Sequence, residues 1–250
     1  MKKKIILLLF LIQSIVHSQT FKVNYLNSFL YLSGVGLIDL SNNYYDRKFV
    51  DNISENELEN LSKTSIPFFD KIAINSYSKK LKKWSDYSVY LTLASSTILV
   101  YDDNDFKDNL IVFGEILLTQ SAICKWTKTF SRRFRPFVYD EDISQDMKKR
   151  RNARHSFYSM HSSTAFAAAT FGYYYYQNNY GNNLYMALFL FSSASLTSYL
   201  RVKSENHFPS DVIVGAIAGS SISYLICKKQ SSNRIKIGLS PSNLKLTFYF

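Results

Sequence analysis

Cysteine is scarce in this chain of 250 residues, which contains two, Cys124 and Cys227, and no CxxC pair. Both lie in apolar segments with a helical pattern, so we expect buried thiols and not a disulfide framework. The sequence also lacks the Cys/His spacing of a zinc finger, the aromatic signature of a ribonucleoprotein motif and a convincing cluster of metal ligands. Nucleic acid is therefore not an expected partner, and no metal site is expected.

Acidic residues are few relative to basic ones. The chain has 19 Asp and Glu against 30 Lys and Arg, and its formal charge is +11. Such a balance favours anionic partners. With nucleic acid set aside, membrane headgroups or phosphorylated substrates fit this charge best, and the sequence does not indicate an oligomeric state.

Long apolar runs are lacking as well. No segment is an uninterrupted run of about 20 apolar residues, and the mean hydropathy of −0.12 is low for a protein with many membrane spans. The strongest span candidates, residues 184–200 and 212–227, fall at or just below the length of about 17 to 25 residues that crosses a bilayer. Because buried helices of a bundle have the same pattern, membrane spanning stays open at this point.

Residues 1–18 have the pattern of an export signal. Lys2, Lys3 and Lys4 precede an apolar stretch at 5–12, and Val16-His17-Ser18 follows it. The alternative is a membrane anchor that stays attached, although the stretch is short for a span. No cysteine follows the leader, so a lipoprotein is not indicated. We expect export to the cell envelope, in the periplasm or in association with a membrane.

The rest of the chain is predicted to be mainly helical. Apolar segments with a helical pattern lie at 29–40, 87–101, 110–129, 162–176, 184–200 and 212–227. Ser54 and Glu57 form a capping-box pattern that predicts a short helix at 55–63. Alternating residues at 234–239 and 244–250 predict a hairpin.

These patterns predict an all-α fold: a helical bundle of about five to six core helices with a short C-terminal β-hairpin tail. The predicted organisation is a signal peptide at 1–18, an N-terminal helical extension at 19–84, a helical domain at 85–230 and the hairpin tail at 231–250. The acidic stretch at 102–105 lacks the glycine and the closing glutamate of an EF-hand, so a solvated loop is expected there.

Three short polar segments interrupt the apolar pattern, at 128–136, 159–161 and 201–211. Lys128 and Arg135 are seven residues apart, so one helix that ends at Pro136 would present both cations on one face. Arg132 and Arg133 are interpreted as solvated or headgroup-facing charges. Taken alone, Lys128 would also fit an ordinary charge on an exposed face.

The other two segments contain histidines near expected helix starts. Ser159 and His161 immediately precede the helix predicted from residue 162, where free backbone N–H groups suit an anion. His207 and Asp211 are four residues apart, and a carboxylate on one imidazole nitrogen fixes the tautomer and activates the other. Asp211 alone would also fit a capping role. His155, outside these segments, is interpreted as structural.

The three segments resemble the motifs of the type 2 phosphatidic acid phosphatase superfamily. That superfamily includes bacterial class A acid phosphatases and shares its core with vanadium haloperoxidases. Its motifs are Lys-x6-Arg-Pro, Pro-Ser-Gly-His and Ser-Arg-x5-His-x3-Asp. They correspond here to Lys128-x6-Arg135-Pro136, Tyr158-Ser159-Met160-His161 and Leu200-Arg201-x5-His207-x3-Asp211. The resemblance extends from residue 128 to about residue 219.

The resemblance implies that His207 attacks phosphorus and forms a phosphohistidine, that Asp211 orients it and that His161 protonates the leaving alcohol. It implies no metal and no cofactor. The phosphoryl oxygens would be bound at Lys128, Arg135, Ser159, Met160 and Arg201. Three residues depart from the motifs: Tyr158 replaces proline, Leu200 replaces serine and Met160 replaces glycine. Met160 matters most, because a side chain adds bulk beside the phosphate and disfavours a positive φ.

The leading hypothesis is a metal-independent phosphatase of the cell envelope that hydrolyses phosphomonoesters or diphosphates. Lipid phosphates are the preferred substrate class because of the export signal, the basic charge and the apolar helices. One alternative is an envelope protein that binds phosphate or lipid headgroups with little or no turnover, for which Met160 is the main support. Another is a vanadate-dependent haloperoxidase, although nothing in the sequence marks a halide site.

Overall fold

The computed structural model describes residues 20–74, 77–101 and 105–231, together with the backbone of residues 236–240 and 243–247. The predicted export signal at 1–18 and most of the acidic stretch at 102–105 lie outside the described residues. Eight α-helices are present in the described part: α1 (Tyr25–Phe49), α2 (Glu55–Glu59), α3 (Lys79–Leu99), α4 (Phe106–Ser131), α5 (Gln145–Lys148), α6 (Met160–Tyr180), α7 (Leu184–Lys203) and α8 (Pro209–Gln230). Short 3-10 helices lie at Lys63–Ser65, Phe68–Ala73, Pro136–Tyr139 and Arg151–Arg154.

The six long helices build a bundle around α6. Helix α6 contacts α3, α4, α7 and α8, and α1 packs against α4. Helix α6 fits at the centre because its side chains there are small: Ala165, Ala167, Ala168 and Ala169 are all buried. The prediction of an all-α fold is confirmed. The predicted domain limits stay a prediction, and α3 runs across the limit between residues 84 and 85.

Local capping explains where the helices begin. Four long helices start after a residue whose side chain accepts a hydrogen bond from the first turn, namely Asn24, Ser78, Ser159 and Asn183. Pro209 is the first residue of α8, as predicted, since its missing N–H has no partner there in any case. The predicted capping box of Ser54 and Glu57 is present, but its helix already ends at Glu59.

Helices α6 and α8 approach each other closely. A Cβ atom on Gly219 would lie 2.0 Å from the carbonyl oxygen of Ser163, and one on Gly215 would lie 2.7 Å from that of Ser159. Both distances are shorter than van der Waals contact, so glycine is required at these two positions. The close contact places the start of α6 beside the start of α8.

The core is aromatic at its centre. The rings of Phe113 and Phe171 stack with 4.5 Å between centroids, and Phe21 stacks on the other side of Phe171 at 5.8 Å. Cys124 and Cys227 are free and buried, which confirms the prediction of buried thiols. Stacked rings and small side chains together fill the space between α4, α6 and the segment before α1.

One end of the bundle collects the ends of α1, α4 and α7 and the starts of α3, α6 and α8. We call it the site end. Thr129 near the end of α4 donates to the carboxylate of Asp46 near the end of α1 at 2.9 Å. The backbone nitrogen of Ser159 at the start of α6 donates to the carbonyl oxygen of Asp211 at the start of α8 at 3.1 Å. All three polar segments therefore meet at this end.

Within the part of the chain that the structure describes, two helical segments could cross a membrane by length and composition alone, Phe106–Tyr139 and Pro209–Gln230. The second contains the span candidate at 212–227, whereas the candidate at 184–200, within α7, is not one of the two.

After α8 the chain forms two short strands, β1 (Lys236–Ser240) and β2 (Asn243–Thr247), which pair antiparallel with Lys236 opposite Thr247. The predicted C-terminal β-hairpin is not supported as an element of the fold.

Candidate active site

Lys128 and Arg135 do not share a helix. Helix α4 ends at Ser131 because Arg132 adopts a left-handed conformation with φ of 45°. Arg135 follows on an extended segment that leads into the 3-10 helix Pro136–Tyr139. The prediction of one helix that carries both cations and ends at Pro136 is therefore wrong. The turn at Arg132 still keeps Lys128 near Arg135, since their charges act on the same groups of the site.

Hydrogen bonds to the surrounding loops hold both cations. The ammonium of Lys128 donates to the carbonyl oxygen of His155 at 2.7 Å. The buried guanidinium of Arg135 donates from Nε to the carbonyl oxygen of Asn152 at 3.0 Å and from Nη1 to the carbonyl oxygen of Asn206 at 3.2 Å. Because these acceptors are main-chain carbonyls without charge, the positive charges remain available to an anion.

His207 is completely enclosed and has a defined tautomer. Its Nδ1 lies 2.7 Å from the carbonyl oxygen of Ser156. A carbonyl can only accept, so Nδ1 carries the proton and Nε2 carries the lone pair. Burial, and after it the positive charges of Lys128, Arg135 and Arg201, lower the pKa of His207 well below its ordinary value. The imidazole is therefore neutral at physiological pH, as a nucleophile must be.

Asp211 lies beside His207 but does not contact it directly. Its Oδ2 is 3.8 Å from Nδ1 of His207, longer than a hydrogen bond. That oxygen accepts instead from the hydroxyl of Ser156 at 2.5 Å and from the backbone nitrogen of Phe208 at 2.8 Å. The sequence led us to expect a carboxylate on the imidazole nitrogen. The structure has the Ser156 carbonyl there, and Asp211 holds Ser156.

His161 occupies the first turn of α6. The helix begins at Met160, with Ser159 as its N-cap, and not at residue 162 as the sequence suggested. Nε2 of His161 lies 2.9 Å from Oδ1 of Asp86, a residue of α3. Burial, and then the charges of Arg201 and the neighbouring cations, lower the pKa of His161 to about 2. In the absence of an anion His161 is therefore neutral.

Arg201 has an unused hydrogen-bond donor. Its side chain is 3% exposed, and Nη1 lies 3.3 Å from the hydroxyl of Ser85 and 3.6 Å from Asp86. Its Nε is buried and has no hydrogen-bond partner among the described residues. A buried donor without a partner carries a free-energy penalty of about 1–3 kcal/mol. An oxyanion bound between Arg201 and His207 would remove that penalty.

Ser159 and Met160 lie at the start of α6. The hydroxyl of Ser159 is buried and caps the helix by accepting from the backbone nitrogen of Ser162 at 3.4 Å. Met160 is the first helical residue, and it is not among the described residues with a positive φ, which are Arg132, Gly181 and Glu205. The backbone conformation therefore does not require glycine at position 160, although the methionine side chain still adds bulk.

Arg133 is not a solvated or headgroup-facing charge. Its guanidinium forms ion pairs with Asp70 and with Asp211, each at 2.6 Å. That interpretation of the sequence is wrong because both carboxylates come from other parts of the chain. His155 also contacts a carboxylate, with Nε2 lying 2.9 Å from Asp46.

Sequence reasoning missed Asp70, Asp86 and Ser156, and it assigned Arg133 the wrong role. No motif spacing connects the first three residues to the three segments, so only the fold brings them together. Among the described residues, no group of His, Cys, Asp and Glu side chains is arranged to hold a metal ion. The charges that an anion would meet here are those of Lys128, Arg135 and Arg201.

The match to a family profile agrees with this arrangement. The profile of a family described as the PAP2 superfamily matches residues 109–235, a range that contains all three polar segments. The crystal structure of Aquifex aeolicus LpxE is similar to this chain, with 24% sequence identity and a TM-score of 0.47. The likeness covers 63% of this chain and 92% of that one. No curated protein matches. The predicted family resemblance is confirmed by the profile match.

Proposed function

Because this chain belongs to the PAP2 superfamily, whose members are phosphatases, we propose that it is a phosphatase that works through a phosphohistidine on His207 and needs no metal. The observation that carries this proposal is the state of His207. Its Nδ1 donates to the Ser156 carbonyl, which leaves the lone pair on Nε2, and the charges of Lys128, Arg135 and Arg201 act on the ring. A neutral imidazole of fixed tautomer in a cationic pocket suits attack on a phosphoryl group.

The reaction has two steps. Nε2 of His207 attacks phosphorus and forms an N–P bond while the bond from phosphorus to the leaving oxygen breaks. The leaving oxygen takes a proton from His161. Water then attacks the phosphohistidine, His161 takes a proton from that water, and the N–P bond breaks to release phosphate. The cations Lys128, Arg135 and Arg201 bind the equatorial oxygens, where charge accumulates in the transition state.

His161 must be protonated for the first step. In the anion-free site its pKa is lowered to about 2 by burial and by the nearby cations. A bound phosphate neutralises those cations, and its own negative charge favours the imidazolium, so substrate binding raises this pKa. Asp86, 2.9 Å away, adds a second negative charge. The acid is thus charged only when a phosphorylated substrate is present.

We further propose that the bundle lies in a membrane and that the substrate is a phosphorylated lipid. Large apolar side chains cover much of the outside of the bundle, and many polar side chains are buried inside it around the aromatic centre, unlike in a water-soluble bundle. Exposed apolar side chains include Leu26, Phe29, Leu37, Tyr87, Leu91, Ile98, Leu110, Ile123, Leu188, Phe189, Ile217 and Leu225. Buried polar side chains on the same helices include Ser28, Asn42, Ser88, Thr92, Ser96, Gln120, Thr197 and Ser223.

The dimensions and the charges support the same arrangement. A helix of 21 residues such as α6 is about 31 Å long, close to the hydrocarbon thickness of about 30 Å. The site residues lie in the terminal turns of the helices or in the loops at the site end, at headgroup depth. Exposed or half-exposed basic residues of α3 and the loops at that end include Lys79, Lys80, Lys82, Lys83, Arg150 and Arg151. Such residues favour anionic headgroups.

The test is phosphate release by the purified mature protein from a panel of lipid and soluble phosphates, with EDTA present. EDTA-resistant release that disappears in a His207→Ala variant would support the phosphohistidine mechanism, and a preference for lipid phosphates in micelles would support the membrane proposal. Faster release from soluble phosphates would contradict the lipid proposal. If the folded protein releases no phosphate from any member of the panel, the alternative of a binding protein without turnover is favoured.

A further inference from the structure

Arg133 connects two buried carboxylates from different parts of the chain. Nη2 lies 2.6 Å from Oδ2 of Asp70, and Nη1 lies 2.6 Å from Oδ1 of Asp211. The guanidinium also lies over the ring of Phe208, with 4.4 Å to the centroid. Both carboxylates are almost completely buried, at 1% and 0% exposure of the side chain. A planar guanidinium suits this geometry because it can donate to two acceptors at once.

Asp70 fixes the other side of Arg133. It lies in the 3-10 helix Phe68–Ala73, outside the residues that match the family profile. Its carboxylate accepts from the backbone nitrogen of Ser210 at 2.9 Å and from the Ser210 hydroxyl at 2.7 Å. Ser210 lies in the first turn of α8, next to Asp211. Asp70 therefore holds both Arg133 and the start of α8 in place.

Arg133 affects the site through its contact with Asp211. Arg133 binds one oxygen of this carboxylate, which leaves the other oxygen for the hydroxyl of Ser156. The carbonyl of that same serine accepts the Nδ1 proton of His207. Without the guanidinium, the Asp211 carboxylate could rotate or turn toward another donor, and Ser156 would lose its fixed position. His207 would then no longer be held in one orientation.

We propose that Arg133, held by Asp70, is a positioning residue that orients His207 through Asp211 and Ser156. This inference rests on the proposed role of His207 as the nucleophile. It assigns a function to an arginine at an unspecified position of the first motif and to a segment that precedes the family match. Arg133 acts on the orientation of the nucleophile and does not bind the phosphoryl group, so its loss affects kcat more than KM.

The variants are Arg133→Gln, Arg133→Lys and the double variant Arg133→Gln/Asp70→Asn, with Arg132→Gln as the matched control. Arg132 is the adjacent arginine, exposed and without an ion pair among the described residues. We expect Arg133→Gln to lower kcat about 100-fold with KM within about twofold, because small displacements of a reacting group have effects of this size. Arg133→Lys is expected to lose about tenfold, since an ammonium does not reproduce the paired donors. Arg132→Gln is expected to match the wild type.

A second measurement reports on the orientation of His207 and does not require catalytic turnover. The Nδ1 proton of His207 gives an NMR signal in protein labelled with 15N-histidine, assigned by its absence in His207→Ala. We expect Arg133→Gln to shift this signal and Arg132→Gln to leave it unchanged. A folded Arg133→Gln protein with an unchanged signal and unchanged kcat would overturn the proposal. A shifted signal in a chain whose wild type releases no phosphate would support the positioning role and contradict only the proposed function.

The double variant distinguishes a role of Arg133 in positioning His207 from a role in stability alone. Removal of Arg133 alone leaves Asp70 and Asp211 buried without their partner, which destabilises the fold. Removal of the Asp70 charge as well is expected to restore part of the lost stability. We therefore expect the double variant to recover thermal stability but not kcat. Recovery of both would show that Arg133 acts only on stability and would overturn the proposal.

Discussion

The two histidines of the site are held in opposite ways. His207 is 1% exposed and its neighbour Asp211 is 0% exposed, and a serine connects them. His161 is 32% exposed, and Asp86 beside it is 36% exposed. The first pair comes from the segment that matches the family profile, whereas Asp86 comes from α3, before that segment begins.

The difference fits the two roles proposed for these residues. A nucleophile needs one tautomer and one direction of attack, which burial and main-chain hydrogen bonds provide. A general acid must reach both the leaving oxygen and the attacking water, which partial exposure allows. The same residue type can therefore serve both roles because the surrounding structure differs.

The comparison predicts that substitutions of the two histidines depend differently on the leaving group. We expect His207→Ala to lower kcat about 10⁶-fold for every substrate, because the nucleophile is lost. His161→Ala should cost about 10²–10⁴-fold for alkyl phosphates and much less for 4-nitrophenyl phosphate, whose leaving group needs no proton. Steady-state kinetics with both substrates checks this. Equal losses on the two substrates in His161→Ala would contradict its role as the acid.

The position of the buried pair, His207 and Asp211, should also depend on the close contact of α6 with α8. A methyl group at Gly219 would lie 2.0 Å from the carbonyl oxygen of Ser163, whereas one at Gly114 would have no atom within 4 Å. We expect Gly219→Ala to lower the free energy of unfolding by about 1–3 kcal/mol through overpacking. Gly114→Ala, the matched control, should stabilise the protein by about 0.5–1 kcal/mol. Thermal unfolding measures both, and equal shifts in Tm would show that the α6–α8 contact can relax.

The half-exposed pair, His161 and Asp86, should respond to pH. Asp86 lies 2.9 Å from His161, and its negative charge favours the imidazolium. Asp86→Asn removes that charge, so the pKa of His161 falls and the acid is lost at lower pH. We expect the alkaline limb of the kcat profile for an alkyl phosphate to move to lower pH, with a loss of about tenfold on that limb, equivalent to one pKa unit. A lower KM with an unchanged profile would show instead that Asp86 competes with phosphate for His161 and Arg201.

The sequence predicts the helices well because their apolar segments are long and regular. It does not predict where α4 ends, since an arginine in a left-handed conformation has no sequence signature. It left membrane spanning open, because mean hydropathy averages over Ser, Thr and Asn side chains that face the inside of the bundle. The arrangement of polar and apolar residues around each helix, not their average, carries that information.

The candidate site was predictable only where its residues share a motif. Lys128, Arg135, Arg201 and His207 belong to segments of fixed spacing, and in the structure the charges of the three cations act on His207. Asp70 and Asp86 reach the site from helices whose distance along the chain from the motifs carries no signal. Such residues are found only when the packing of the helices is known.

Met160, the departure from the motif that raised most doubt, should have the smallest effect. It is the first residue of α6 and does not have a positive φ, so its backbone N–H is presented as that of glycine would be. We expect Met160→Gly to change kcat/KM by no more than about fivefold, since glycine in a helix costs at most about 1 kcal/mol. Met160→Ala, which removes bulk without adding backbone freedom, serves as the control. A large gain in both variants would show that methionine crowds the phosphate, whereas a large loss in both would show that its side chain helps to shape the pocket.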